Sequence, residues 1–185
     1  MQCPRLDHFV RFNTNGSVTC CGHMVKAQGF NDIDQLHNSE WIESLKDKFF
    51  TDQWPDECRR CQQTEELNQG SIRLNAIDTH KKQTKADYLI VGGTLDNTCN
   101  SGLSTLIGKL DKTNKVVDNA SKFWDLPQDR IVHLDINGGE PSVSQNYQHI
   151  LKNLPPNLTN IRVNTNCASI LHELTDIANS GVHVT

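Results

Sequence analysis

Aromatic residues are sparse in this 185-residue chain, at 6%, and no apolar run approaches the roughly 18 residues that a membrane span needs. The opening residues, Met1-Gln2-Cys3-Pro4-Arg5-Leu6-Asp7, lack the apolar centre of a secretory signal. Basic charge is not in excess either. Lys and Arg number 18 against 22 acidic residues, the net charge is −4, and the basic residues are scattered. That balance argues against a dedicated nucleic-acid binder. The expectation is a cytoplasmic protein with neither a membrane nor a nucleic acid as partner. In that compartment the seven cysteines are metal ligands or free thiols rather than disulfides. A hydrophobic content of 36% is modest but enough for a core, and the length admits one domain or two small ones.

The first local signal is a hairpin over residues 8–21. Phe9, Val10 and Phe12 lead into Asn15-Gly16, which suits a two-residue type I′ turn, and Val18-Thr19-Cys20-Cys21 returns. In that register Cys20 faces Arg11 and Cys21 faces Val10. Neighbouring strand residues point to opposite faces, so the two cysteines do not serve one site. Next, Asn38 or Ser39 can cap a helix carrying Trp41, Leu45 and Phe49, with Ile42 beside them. Trp54-Pro55 closes it and opens another, with Asp56 and Glu57 at the positive end of its dipole. Cys58-Arg59-Arg60-Cys61 follows, and that helix runs to about Asn68 before Gly70 stops it.

A Cys-x-x-Cys at a helix start offers two thiolates to one metal, and the helix terminus and the two arginines are expected to lower the thiol pKa values. A redox pair would want a preceding strand in a βαβ unit, which this region lacks. Unligated thiols are the bland alternative. His8, His23 and His133 are also possible metal ligands, although surface or core histidines are the commoner case.

From Ala86 onward strands alternate with helices. Strands are expected at 88–91, 131–136, 161–163 and from Val182. Helices are expected at 123–126, 145–151 and 168–179, the last capped by Gly181. Residues 70–85, rich in Lys, Thr and Gln, have linker composition. The strand Ile131-Val132-His133-Leu134-Asp135-Ile136 runs into Asn137-Gly138-Gly139-Glu140-Pro141. Glycines there let a ligand approach the backbone, and ligands of open α/β sheets sit at the carboxyl ends of strands. A plain strand–turn is the alternative reading. Asn164-Thr165-Asn166, after the next strand, shares that rim but reads first as turn residues.

Gly138-Gly139-Glu140 after a strand resembles the motif by which radical S-adenosylmethionine (radical SAM) proteins hold the amino group of the cofactor's methionine. The order Cys3, Gly16, Cys21 and Cys58-x-x-Cys61, across a hairpin and then a helix, resembles their auxiliary-cluster domain of SPASM or twitch type. The twitch form, with one 4Fe–4S cluster, is the better match, because no further cysteine occurs between Cys61 and Cys99. The spacing selects Cys21 over Cys20. A structural zinc site fits four cysteines in two pairs equally well on chemistry alone.

The resemblance implies an α/β protein in two parts. A small N-terminal β-hairpin-plus-helices metal module spans 1–75, and a linker spans 76–85. An incomplete parallel (βα) partial barrel spans 86–185, ending within its fourth strand. A bare last strand is a sticky edge, which implies a partner chain covering it. Glu140, with Gly138 and Gly139, would bind S-adenosylmethionine, while Cys3, Cys21, Cys58 and Cys61 would hold the auxiliary cluster. The family's activity is cleavage of S-adenosylmethionine to a 5′-deoxyadenosyl radical. Such auxiliary domains often accompany peptide modification, so a peptide is the implied substrate class.

One family element is incomplete. The loop after the first strand should carry Cys-x-x-x-Cys-x-x-Cys. Cys99 begins it, but Leu103 and Leu106 stand where the other thiolates belong, and Leu103-Ser104-Thr105-Leu106 looks like the following helix arriving early. Either the loop and its chemistry are lost, or a short internal segment of a working parent is missing. As written, the chain is expected to be inactive. A non-enzymatic zinc or iron–sulfur interaction module is the alternative function. Cys167 does not replace the absent pair by spacing and reads as a small buried residue. Arg73 and Asn75 carry no assigned role.

Overall fold

The computed structural model describes residues 1–96, 98, 119–137, 140–167 and 171–185. Cys99, the Leu103–Leu106 phrase, Gly138 and Gly139 lie outside the described residues, as does the expected start of the last helix at 168–170. The protein is α/β, with a six-stranded sheet in the order β2-β1-β3-β4-β5-β6. The chain divides into two compact units, residues 1–11 with 17–89, and residues 12–16 with 90–185.

The first unit begins with α1 (Arg5–His8), most of β1 (Phe9–Phe12) and β2 (Val18–Thr19). The turn between the strands differs from the expected type I′. Gly16 N–H donates to Asn13 O at 3.0 Å, Gly16 has φ 83°, and Asn15 is not in the left-handed region. This is the three-residue solution, a type I turn closed by a left-handed glycine. The second strand is shorter than expected, so Cys20 and Cys21 lie beyond it and strand alternation does not set their directions.

Helices α2 (Ile33–His37) and α3 (Glu40–Phe50) follow, α3 capped by Ser39 Oγ, which accepts from Ile42 N–H at 3.2 Å. The buried stripe of α3 is Ile42, Leu45 and Phe49, while Trp41 is only half-buried and packs on Phe30. Burying each such side chain stabilises by about 1.5–3 kcal/mol. The helix ends at Phe50, before Trp54-Pro55. Asp52, at φ 59°, occupies the left-handed position, its N–H donates to Phe49 O, and Gln53 N–H donates to Lys48 O. A 3₁₀ turn, Asp56–Cys58, opens α4 (Arg59–Glu66), which ends on the same double hydrogen-bond motif with Asn68 at φ 54°. Asn68 therefore stops that helix, and Gly70 does not. Ser71 then caps α5 (Ile72–Lys81), so the expected linker at 76–85 is helical through Lys81.

The second unit contains most of β3 (Leu89–Thr94), α6 (Ala120–Trp124), β4 (Ile131–Asn137), α7 (Gln145–Lys152), β5 (Asn160–Val163), α8 (Glu173–Asn179) and β6 (His183–Val184). Strands β4, β5 and β6 run parallel, with Leu134 opposite Ile161 and Asn160 opposite His183. Leu134, Ile161, Phe123, Tyr147 and Ile150 form its core. Strand β3 extends past the expected 88–91 because Gly92 and Gly93 continue it against Phe12, Phe123 and Leu134. Gly181, at φ 94°, ends α8 as expected, donating to Ala178 O. Cys167 is exposed rather than buried. It sits at φ 57° with its N–H on Thr165 Oγ1, a turn position that faces no core. No helix among the described residues is long and apolar enough to cross a membrane.

Candidate metal centre

Cys3, Cys21, Cys58 and Cys61 line one small cavity in the first unit, together with Arg5, His23, Met24, Phe49, Ile72 and Arg73. They arrive from three stretches of chain: the turn into α1, the segment after β2, and the start of α4. Cys20 does not line this cavity. It is fully buried, and its thiol donates to the Met24 sulfur at 3.8 Å. Among the described residues, no group of three or more His, Cys, Asp or Glu side chains is arranged to hold a metal ion. The four thiols thus share a cavity without converging on a single point.

The Cys21 sulfur accepts a backbone N–H, that of His23 two residues on, at 3.4 Å. The backbone amides of Arg5 and Arg73 temper the upward pull of burial on the Cys3 and Cys61 thiols. Gly22 belongs to this construction: a Cβ there would stand 2.6 Å from Arg11 Nη1, so only glycine lets that guanidinium lie over the Cys21 turn.

The expected lowering of the Cys-x-x-Cys pKa values is not found. Burial first, then neighbouring Cys3, Cys21 and Cys61, pushes the Cys58 thiol far up. Burial likewise takes Cys3 up to about 11 and raises Cys61, in both cases against the opposing influence of a nearby backbone amide. Cys20 is raised by burial and by its cysteine neighbours. Arg59 and Arg60, expected to lower these values, are exposed, and Arg59 pairs with Asp56 at 3.9 Å. Cys3, Cys58 and Cys61 are held protonated at neutral pH, and a metal would displace their protons.

Around this cavity lies a polar frame that sequence alone does not reveal. Arg73 is buried and donates in fork fashion to both Glu65 oxygens, with Nε at 2.9 Å from Oε1. Its Nη1 donates to Gln2 O at 2.9 Å, and its guanidinium stands 5.0 Å from the Trp54 ring centroid. Ser71 Oγ donates to Glu65 as well. The frame ties α4, which bears Cys61, to α5 and to the residue before Cys3. A serine placed to cap α5, two residues before an arginine, was the available sequence signal.

Among the histidines, His23 walls the cavity. Burial first, then Arg5, Arg60 and Arg11, holds it below its ordinary value. His8 instead stacks on Tyr88, ring centroids 4.1 Å apart, and His133 is half-buried in β4. Cys3 and Phe49 also wall a wider cavity of about 610 Å³, together with Leu6, His8, Lys46 and Phe50.

In the second unit Glu140 is buried, 3% exposed, just past the end of β4. Its Oε1 accepts from Thr165 Oγ1 at 2.6 Å, Ser142 Oγ at 3.0 Å and Ser142 N–H at 3.3 Å, and its Oε2 accepts from Asn166 N–H at 2.8 Å. Burial raises its pKa, but these donors outweigh burial and hold the carboxyl below its usual range. Thr165 and Asn166 are therefore more than turn residues: they hold the carboxylate. Asp96, also buried, accepts from Ser144 Oγ, from Asn146 Nδ2 at 3.1 Å and from Thr98 N–H at 3.0 Å. Comparison with protein-family models, with curated proteins and with solved structures found no match.

Proposed function

We propose that the chain is a radical SAM-type iron–sulfur protein in which Cys3, Cys21, Cys58 and Cys61 hold one 4Fe–4S cluster. What carries the reading is the meeting of these four thiols in one cavity, with the His23 N–H already on the Cys21 sulfur. Hydrogen bonds to the sulfurs are a main control on the potential of such clusters. A bound cluster would supply one-electron transfer or a substrate anchor. Zinc is the alternative metal, and it needs all four sulfurs at roughly 2.3 Å from one point.

Glu140 supports the second half of the proposal. It is an ionised, buried carboxylate with no ion pair among the described residues, which suits the ammonium of S-adenosylmethionine. The cluster that would cleave that cofactor does not fit this chain. Its loop offers Cys99 alone, and three thiolates are required, so no cleavage step is assigned. This count is also what favours the second reading, a metal-binding module without enzymatic activity. A peptide remains the proposed substrate class, and the wider cavity beside Cys3 is where a ligand would meet the centre. Cytoplasmic residence and a partner chain over the edge strand β6 belong to the same proposal.

The test is anaerobic reconstitution with iron and sulfide. The expected product is brown, with about one cluster per chain from Cys₄ ligation. Cys58→Ala should lose the cluster and Cys20→Ala should keep it, and neither form should yield 5′-deoxyadenosine under dithionite. A colourless product holding stoichiometric zinc would overturn the iron–sulfur assignment. Dithionite-dependent 5′-deoxyadenosine from the unaltered chain would overturn the thiolate count.

A further inference from the structure

We infer that Arg5 is the counter-charge and side-chain hydrogen-bond donor of the four-cysteine centre, an inference that rests on the proposal that the cavity holds a thiolate-bound metal. Arg5 lines the cavity with all four cysteines. Its Nε is buried and has no hydrogen-bond partner. A guanidinium with an orphaned buried donor is costly unless something accepts from it. No ion pair links Arg5 to a carboxylate among the described residues, unlike Arg73, whose charge is spent on Glu65. The Arg5 guanidinium is held instead over the Phe9 ring, 3.4 Å from its centroid.

The chemistry follows from the charge of the occupant. Four thiolates around a metal or a cluster carry net negative charge into an apolar pocket, and buried anions need a paired cation. Arg5 is the cavity-lining cation that no carboxylate neutralises. A sulfur carrying full negative charge is also the acceptor that Nε lacks. The two deficits, an unpaired cation and an uncompensated anionic centre, cancel when the centre fills. Phe9 keeps the guanidinium in place in the meantime, since a cation over a ring face is attracted by its quadrupole.

Three substitutions test this in the full-length, anaerobically loaded protein: Arg5→Gln, Arg5→Lys and Arg60→Gln. Arg60 supplies an equal charge from inside the Cys-x-x-Cys segment, but it is exposed and does not line the cavity. The readouts are the rate of metal release to a chelator and the midpoint potential of the loaded centre. Arg5→Gln should release metal about 10–100-fold faster, the usual cost of removing a partner in the outer shell of a metal site. It should also lower the potential, because the more negative oxidation state loses its counter-charge. Arg5→Lys, which keeps the charge and loses the fork, should recover the potential more fully than the release rate, and it carries the test if the glutamine variant does not fold. Arg60→Gln should match wild type in both. Equal effects of Arg60→Gln and Arg5→Gln, or wild-type behaviour in both Arg5 variants, overturn the inference while leaving the metal site standing. A wild-type chain that binds no metal overturns the site itself.

Discussion

Removing the Arg73 guanidinium probes the frame that holds the cysteines in register. The Arg73 and Glu65 side chains are only 10% and 14% exposed, so solvent does little to screen the pair. Arg73→Met would leave the Glu65 carboxylate buried with only the Ser71 hydroxyl, and Gln2 O without its donor. Breaking one side of a buried ion pair costs about 3–5 kcal/mol. Loss of the contact with Trp54 adds ~0.5–1 kcal/mol, and the retained Ser71 bond offsets a similar amount. The expectation is a loss of about 3–5 kcal/mol, read by urea unfolding of the metal-free, reduced chain with linear extrapolation.

Replacing both partners with apolar residues should cost less than the two single losses together, a coupling on the order of 1–3 kcal/mol. The pH dependence has a definite sign. Burial raises the Glu65 pKa, but the bonds from Arg73 and Ser71 outweigh it, so the folded value lies below the unfolded one. The pair's contribution is therefore complete above the unfolded value of about 4.3 and is lost as pH falls through the folded value. Below that point the stability gap between wild type and Arg73→Met should shrink to what the Trp54 and Gln2 contacts contribute. A single-variant loss under about 1 kcal/mol, or strict additivity in the double variant, would refute this account of the frame.

Two further outcomes are expected. Cys3 is raised to about 11 from an unfolded value near 8.5, so its contribution is intact below that unfolded value and drains away as pH rises toward 11. The thermal midpoint of the metal-free wild type should drop more steeply over that window than that of Cys3→Ser, and parallel curves would contradict it. Tyr147→Phe should be neutral or stabilising in denaturant titrations, because the Tyr147 hydroxyl is buried without a hydrogen-bond partner and its removal relieves an unmet group. A loss above about 1 kcal/mol would mean that the hydroxyl has a partner worth that much.

The regular elements were legible wherever one local cause decided them. Ser39 before an amphipathic run, Pro55 before an acidic first turn, and Gly181 after α8 each carry their signal in one or two residues. What escaped depended on competition between local solutions or on partners distant in the chain. Asn15-Gly16 permits a type I′ turn, but the chain closes one residue earlier, leaving the left-handed conformation to Gly16 alone. Asp52 and Asn68 end their helices in a conformation that glycine usually takes, so the reading placed those ends too late. The four cysteines were singled out by spacing alone. The Arg73–Glu65 fork and the unpaired Arg5 were not readable, because each gains its meaning from a residue brought near only by folding. The pKa expectation failed for the same reason. Two arginines adjacent in sequence point outward, and burial decides the sign.

Cys3, Cys21, Cys58 and Cys61 divide the first unit into long unequal spans, one from the N-terminal turn to the end of the hairpin and another from there to α4. A metal or cluster joining them would act on the unfolded ensemble as a multivalent cross-link, closing both spans at once and removing loop freedom that the unligated chain retains. A comparable covalent closure removes about 3 kcal/mol of chain entropy for a loop of some 15 residues. The short strand β2 and the brief helices α1 and α2, which have little cooperative strength of their own, lie inside those closed spans. Their persistence would then depend on the supply of metal and on the redox state of the thiols as much as on any side-chain contact.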